Sequence, residues 1–250
     1  MKTILILATI FLGFTSANAQ WWGNEKIKGN GKMVTKERST SEYDEVQLVG
    51  SMNVELVGSM NVELVSGREG KLTVEAESNL QEYILTEVQG GKLKISVEEG
   101  IDLRPSGNNE IKITVPFEDL EEVSLTGSGD MWNSDKIIAS NFSTSLTGSG
   151  DMNLNLEVRG LKGSVTGSGD IVLKGTANHF KCKVTGSGDF EAYELRANTV
   201  EAVVSGSGDL MVYASEKLTA RVSGSGDITY KGNPAKEDFK VSGSGSVSSN

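Results

Sequence analysis

Six aspartates recur in one frame along the second half of this chain. Asp130, Asp151, Asp170, Asp189, Asp209 and Asp227 each close a Gly-Ser-Gly-Asp tetrapeptide, at intervals of 18 to 21 residues, and a seventh Gly-Ser-Gly runs into Ser246 instead. Carboxylates stacked once per repeat have two chemistries open to them. They can bond backbone N–H groups in a tight turn, or bridge through a hard cation such as calcium, which takes roughly six to eight oxygen ligands. At about 4.8 Å apart they repel by roughly 3.5 kcal/mol per pair at an effective dielectric of ~20, and by under about 1 kcal/mol in water. The column must therefore be solvated, hydrogen-bonded or bridged. The glycines, which tolerate positive φ and close backbone approach, already suit a sharp corner. The turn reading leads, with a calcium ladder as the alternative.

Other reactive residues are sparse. His179 is the only histidine, so neither an H-E-x-x-H metal site nor a His-dependent triad can be assembled within the chain. Cys182 falls in a column of small residues that reads as core, where a thiol is inert. The serine of Gly-Ser-Gly lacks a nucleophile-elbow frame, and no phosphate-binding or dinucleotide loop is present. We expect no enzyme; polysaccharide lyases share the β-helix only by fold-level analogy, and no acid-base cluster supports that reading. Trp132, Tyr193 and Tyr213 occupy outward positions after the corner and form a candidate sugar-stacking surface, beside the plainer reading of ordinary exposed aromatics. Lys162, Lys181, Lys183, Arg221 and Lys240 make a basic stripe interrupted by Glu201 and Asp238, which reads as a solvated face. The net charge of −10 argues against nucleic acid or anionic membrane as partner.

These side chains need a scaffold that repeats about every 19 residues. Counting from each Asp, the first residue after it is Met131, Met152, Ile171, Phe190, Leu210 and Ile228, and the third is mostly apolar, with more polar residues between. That is a strand with one buried face. Before each corner a second strand repeats the pattern, from Phe142, Thr144 and Leu146 to Glu237, Phe239 and Val241. About five inward side chains per coil, at roughly 1.5–3 kcal/mol for each large one, fall short of the backbone entropy of some twenty residues at about 1–2 kcal/mol each. A lone coil does not fold, but a stack does. The fold class is all-β, a right-handed parallel β-helix or β-solenoid with a Gly-Ser-Gly-Asp turn in each coil.

Residues 123–250 form the regular repeats, with Glu237 and Ser246 marking a polar C-terminal cap. Residues 41–122 read as an irregular N-terminal β section with strands at Glu45–Val49, Lys71–Ala76, Tyr83–Val88, Lys92–Val97 and Glu110–Val115, and residues 20–40 as a flexible lead-in opening on Trp21-Trp22. Leu48–Val57 and Leu56–Val65 are the same ten residues, a tandem duplication whose Gly50-Ser51-Met52-Asn53 is a degenerate corner. Residues 1–19, with Lys2, the apolar run Ile4–Phe14 and Ala17-Asn18-Ala19, read as a signal peptide, placing the product in the periplasm, on the cell surface or outside the cell.

The signal peptide, the Val-x-Gly-Ser strand end, the Leu120 segment after Val115-Pro116, the repeated Ser/Thr-Gly-Ser-Gly-Asp and the closing Gly226-Asp227-Ile228-Thr229-Tyr230-Lys231-Gly232-Asn233-Pro234 together resemble the bacterial putative auto-transporter adhesin, head GIN domain family, over residues 42–246. The resemblance implies a secreted or surface β-helical protein with an adhesive role, and supplies no catalytic residues; with export, a rigid rod and variable outer positions, the expected partner is a glycan or another cell-envelope component. A structural spacer without a specific ligand is the alternative. The duplicated ten-mer departs from the family pattern, and no membrane barrel is expected within these residues.

Overall fold

The computed structural model describes residues 24–50 and 60–250. The expected signal peptide, Trp21-Trp22 and the middle of the duplication lie outside the described residues. The strands of the N-terminal half are β1 (Glu25–Lys28), β2 (Met33–Ser39), β3 (Glu45–Val49), β4 (Met60–Ser66), β5 (Lys71–Glu77), β6 (Ile84–Gln89), β7 (Lys92–Val97), β8 (Ile101–Arg104) and β9 (Ile111–Phe117). Then follow β10 (Glu122–Gly127), β11 (Asp130–Asn133), β12 (Ile137–Gly148), β13 (Asp151–Gly167), β14 (Ile171–Gly186), β15 (Phe190–Gly206), β16 (Leu210–Gly224), β17 (Ile228–Lys231), β18 (Lys236–Gly243) and β19 (Val247–Ser249). Stacked coils of about 19 residues make a β-solenoid of about 7 turns.

Each coil has two ladder runs. β13 pairs in parallel with β14 from Met152↔Ile171 to Val158↔Ala177, and again from Gly160↔His179 to Gly167↔Gly186. Arg159, left out between them, marks a second and softer corner. Side-chain parity flips there, so that Met152, Leu154, Leu156, Val158, Leu161, Gly163 and Val165 all point inward and are buried. A coil therefore buries seven positions rather than the five expected. The two missed columns are masked in the sequence by Gly175 and by register shifts around Ala192 and Ala197, which spoil the count from each Asp.

The two runs pack against each other through the interior. The rings of Phe180 and Phe190 sit 5.7 Å apart. A Cβ on Gly163 would lie 2.5 Å from Phe190 Cζ. This explains the small-residue column of Thr144, Gly163, Cys182, Ala202 and Ala220: large residues from the facing run fill that space, and close packing leaves no room for two.

The N-terminal section is less irregular than its sequence. β3 pairs in parallel with both β10 and β7, and β4 with both β11 and β9. So β3–β4 forms one rung and β7–β9 another, with the earlier segment lying between later ones along the axis. Antiparallel strands then close this end: β6 on β7, β5 on β9 and β2 on β5. β1 pairs in parallel with β8. The expected flexible lead-in thus contains two strands, whose polar faces hid them from a pattern search. The rung at the duplication takes Leu48-Val49 from the first copy and Met60–Val65 from the second.

At the other end the expected polar cap is incomplete. Glu237 stands in the Leu218 column and accepts the Tyr230 hydroxyl at 2.8 Å. Phe239 and Val241, however, are 37% and 43% exposed, because among the described residues β18 has a rung on one side only.

Candidate binding faces

The corner comes first, because it repeats. The carbonyl of Gly148 accepts the N–H groups of Ser168 (2.8 Å) and Gly169 (3.0 Å), and that of Gly167 accepts those of Ser187 and Gly188 at the same distances. The Asp carboxylates continue the stack. Oδ1 of Asp151, Asp170, Asp189 and Asp209 accepts the backbone N–H of the next Asp at 2.7–3.1 Å, and Asp227 takes both the N–H and the hydroxyl of Ser246. Asn61 does the same for Asp130 at 3.2 Å. Hydrogen bonds to ionised acceptors outweigh repulsion screened by water at these solvent-facing positions. The carboxylates of Asp151, Asp170, Asp189, Asp209 and Asp227 thus each have a protein donor, and among the described residues no three His, Cys, Asp or Glu side chains converge to hold a metal ion.

The three aromatic positions do not share one platform. Trp132 pairs in register with Glu63 and Asn153 near the N-terminal end, with Lys112 Nζ 5.7 Å from its ring centre. Beneath it Glu63 pairs with Lys112 at 2.6 Å and accepts the Ser134 hydroxyl at 2.5 Å. Tyr193 lies three rungs away, roughly 14 Å along the axis. Its hydroxyl meets Thr229 Oγ1 at 2.5 Å and accepts from Asn250 at 3.2 Å, and Lys231 Nζ sits 4.2 Å from its ring centre. Tyr213, on the neighbouring rung, carries Arg196 at 4.2 Å. Tyr193 and Tyr213 thus form a cation–aromatic patch, with Trp132 separate.

The second runs present a different face. Two shallow grooves, of about 290 and 200 Å³, meet there at His179 and Lys181. Gly160 opens the space between Asn141 and His179; a Cβ there would lie 2.5 Å from Asn141 Oδ1. His179 Nδ1 is 2.7 Å from Thr199 Oγ1. Cys182 is buried, and burial, assisted by the nearby Glu201, pushes its thiol pKa well above the usual value.

One ionisable residue went unnoticed in the sequence. Glu77, 1% exposed, accepts N–H groups from Gly31 and Ser106 and the Ser106 hydroxyl, tying the segments beside β1 and β8 to β5. Burial pushes its pKa up, but the hydrogen bonds from Ser106 and Gly31 outweigh it and hold it below the ordinary value. Its only sequence signal is a carboxylate at the end of an apolar alternation.

A family model described as putative auto-transporter adhesin, head GIN domain, matches residues 52–234. The chain belongs to this family. Solved structures agree with the fold of the head GIN domain. A putative adhesin from Bacteroides fragilis is 25% identical, with a TM-score of 0.79 over 90% of this chain and 100% of that one. A protein from Parabacteroides distasonis described as a putative lipid binding protein is 30% identical, with a TM-score of 0.71 over the same shares. A putative adhesin from Parabacteroides merdae, 20% identical, covers 90% of this chain and 99% of its own at a TM-score of 0.68, and speaks for the fold alone. No curated protein matches this head GIN chain. Among the described residues, no helix is long and apolar enough to cross a membrane.

Proposed function

We propose that this head GIN protein is an exported, non-enzymatic adhesin-like binding protein whose rigid solenoid presents its outward side chains to a glycan or another cell-envelope component. The observation that carries the reading is the division of labour within each rung. Corner and core positions repeat, whereas the outward column Trp132, Asn153, Val172, Glu191, Met211 and Thr229 changes chemistry at every step. Large side chains such as Phe142, Phe180 and Phe190 fill the interior, so a partner meets the outside. The signal-like first 19 residues and the family support export. The buried, poorly ionised Cys182 and the lone His179 support the absence of catalysis.

One observation favours the spacer reading instead. Each candidate aromatic already has a cation over its ring, and the Tyr193 hydroxyl is used twice. Glycan and matrix-protein arrays probed with the purified protein separate the two. Binding lost in Trp132→Ala, or in Tyr193→Ala with Tyr213→Ala, supports the adhesin reading and says which patch carries it. A folded protein that binds nothing on either array supports the spacer.

A further inference from the structure

Over the last five rungs, from Gly160 to Gly243, the outward side chains of the second runs include seven lysines and arginines against two carboxylates, Glu201 and Asp238. The chain as a whole carries −10, so this face is a local reversal of charge. The ladder register sets like charges side by side: Lys162 beside Lys181, Lys217 beside Lys236, and Arg221 beside Lys240. Such neighbours stand about 4.8 Å apart along the stack, and like charges directly opposite one another destabilise a sheet. The two carboxylates are already engaged, Glu201 with Lys181 at 2.9 Å and Asp238 with Arg221 at 2.5 Å. Among the described residues, Lys162, Lys183, Lys217, Lys236 and Lys240 have no carboxylate within ion-pair distance.

The shape of the face selects among anionic partners. The grooves meeting at His179 and Lys181 run across successive rungs from Asn141 to Thr219, bordered by Lys162 and Lys217. Beside the lysines runs a hydroxyl column, Thr147, Thr166, Thr185, Ser205 and Ser223, and beyond it the corner aspartates. A broad negative plane, such as a lipid headgroup layer, would press on those aspartates as well. A single anionic chain along the axis meets mostly cations and hydroxyls, and the one carboxylate in its path, Glu201, is already paired with Lys181.

The geometry points to a linear acidic polysaccharide, bearing carboxylate or sulfate groups, lying along the rod over Lys162, Lys181, Lys183, Lys217 and Arg221. This rests on the adhesin reading for its glycan, but places the ligand on the other run from the aromatics. Affinity electrophoresis of the purified protein in gels containing polygalacturonate tests it, with neutral dextran as control and flotation with phosphatidylglycerol vesicles alongside. Retardation by polygalacturonate alone is expected, weakening as salt rises. The triple variant Lys162→Glu, Lys183→Glu, Lys217→Glu should lose about tenfold or more in affinity while melting like the wild type, and Lys174→Glu, on the first run beside Glu194, should bind normally.

Wild-type binding by the triple variant, or no retardation at all, overturns the inference. Flotation with vesicles and no retardation also overturns it, in favour of a membrane surface. Salt-sensitive self-association abolished by the triple variant, without polysaccharide binding, overturns it in favour of a second copy. A neutral glycan bound on the arrays, with polygalacturonate ignored, removes this inference and leaves the adhesin reading standing. Silence in both experiments removes both.

Discussion

Oδ1 of Asp170 lies 2.7 Å from the backbone nitrogen of Asp189 and accepts its N–H across two adjacent rungs. An acceptor in that position is what the ladder requires, and the negative charge is secondary. Asp170→Asn keeps an oxygen there and lowers the charge of the column, so its urea-unfolding free energy is expected within about 0.5 kcal/mol of the wild type. Asp170→Ala removes the acceptor and should cost about 1 kcal/mol. An Asn variant as damaged as the Ala variant would show that charge, rather than geometry, is required.

With one oxygen of each carboxylate from Asp151 to Asp227 taken by a backbone donor, these corners are complete without a bridging ion. The melting temperature is expected to be the same in millimolar calcium and in chelator. A rise with calcium would assign the second carboxylate oxygens to a cation ladder.

The glycines of the corner are constrained by the neighbouring rung. A Cβ on Gly188 would sit 2.1 Å from the carbonyl oxygen of Gly169. Gly188→Ala must push two rungs apart and should destabilise by about 3 kcal/mol, whereas Ser187→Ala, at an exposed position, should stay within about 0.5 kcal/mol. Equal denaturation midpoints for the two variants would mean that the corner spreads freely.

The duplicated ten-mer yields a deletion experiment. Gly50 donates its N–H to the Thr126 carbonyl at 2.7 Å, and the ladder resumes at Met60, next to the Asn61 that caps Asp130. Removing residues 51–58 joins Gly50 to Ser59 and restores a four-residue Gly-Ser-Met-Asn corner in the frame of the other rungs. The shortened protein should fold and gain roughly 0.5–1 kcal/mol from the shorter connection between Gly50 and Met60. Loss of folding would show that the extra copy is needed structurally.

Glu77 makes the N-terminal closure sensitive to acid. Its folded pKa lies below the ordinary 4.5, so its contribution is fully present above the unfolded value and is lost as pH falls through the folded one. Glu77→Gln should be less stable at neutral pH and show a flatter decline of stability below about pH 4.5. Parallel acid limbs for variant and wild type would place the acid sensitivity elsewhere.

The sequence alone determined the regular part of this protein. A corner every 18 to 21 residues and columns such as Met131 to Ile228 follow from local rules, because parallel stacking in register makes each rung repeat the residues of its neighbour. The strands Glu45–Val49 and Lys92–Val97 were legible for the same reason of alternation. Tertiary structure decided what those strands pair with. β3 sits between β7 and β10, although they are far apart in the chain, and only packing reveals it. Gly163 is small because Phe190 faces it from the opposite run, Glu77 is ionised because Gly31 and Ser106 reach it, and Tyr193 is held because Thr229 lies two rungs on. Each of these depends on a distance between residues remote in sequence, which no local pattern records. The basic face belongs to the same class: its lysines were visible as a broken stripe, but their like-charged pairing is a property of the register.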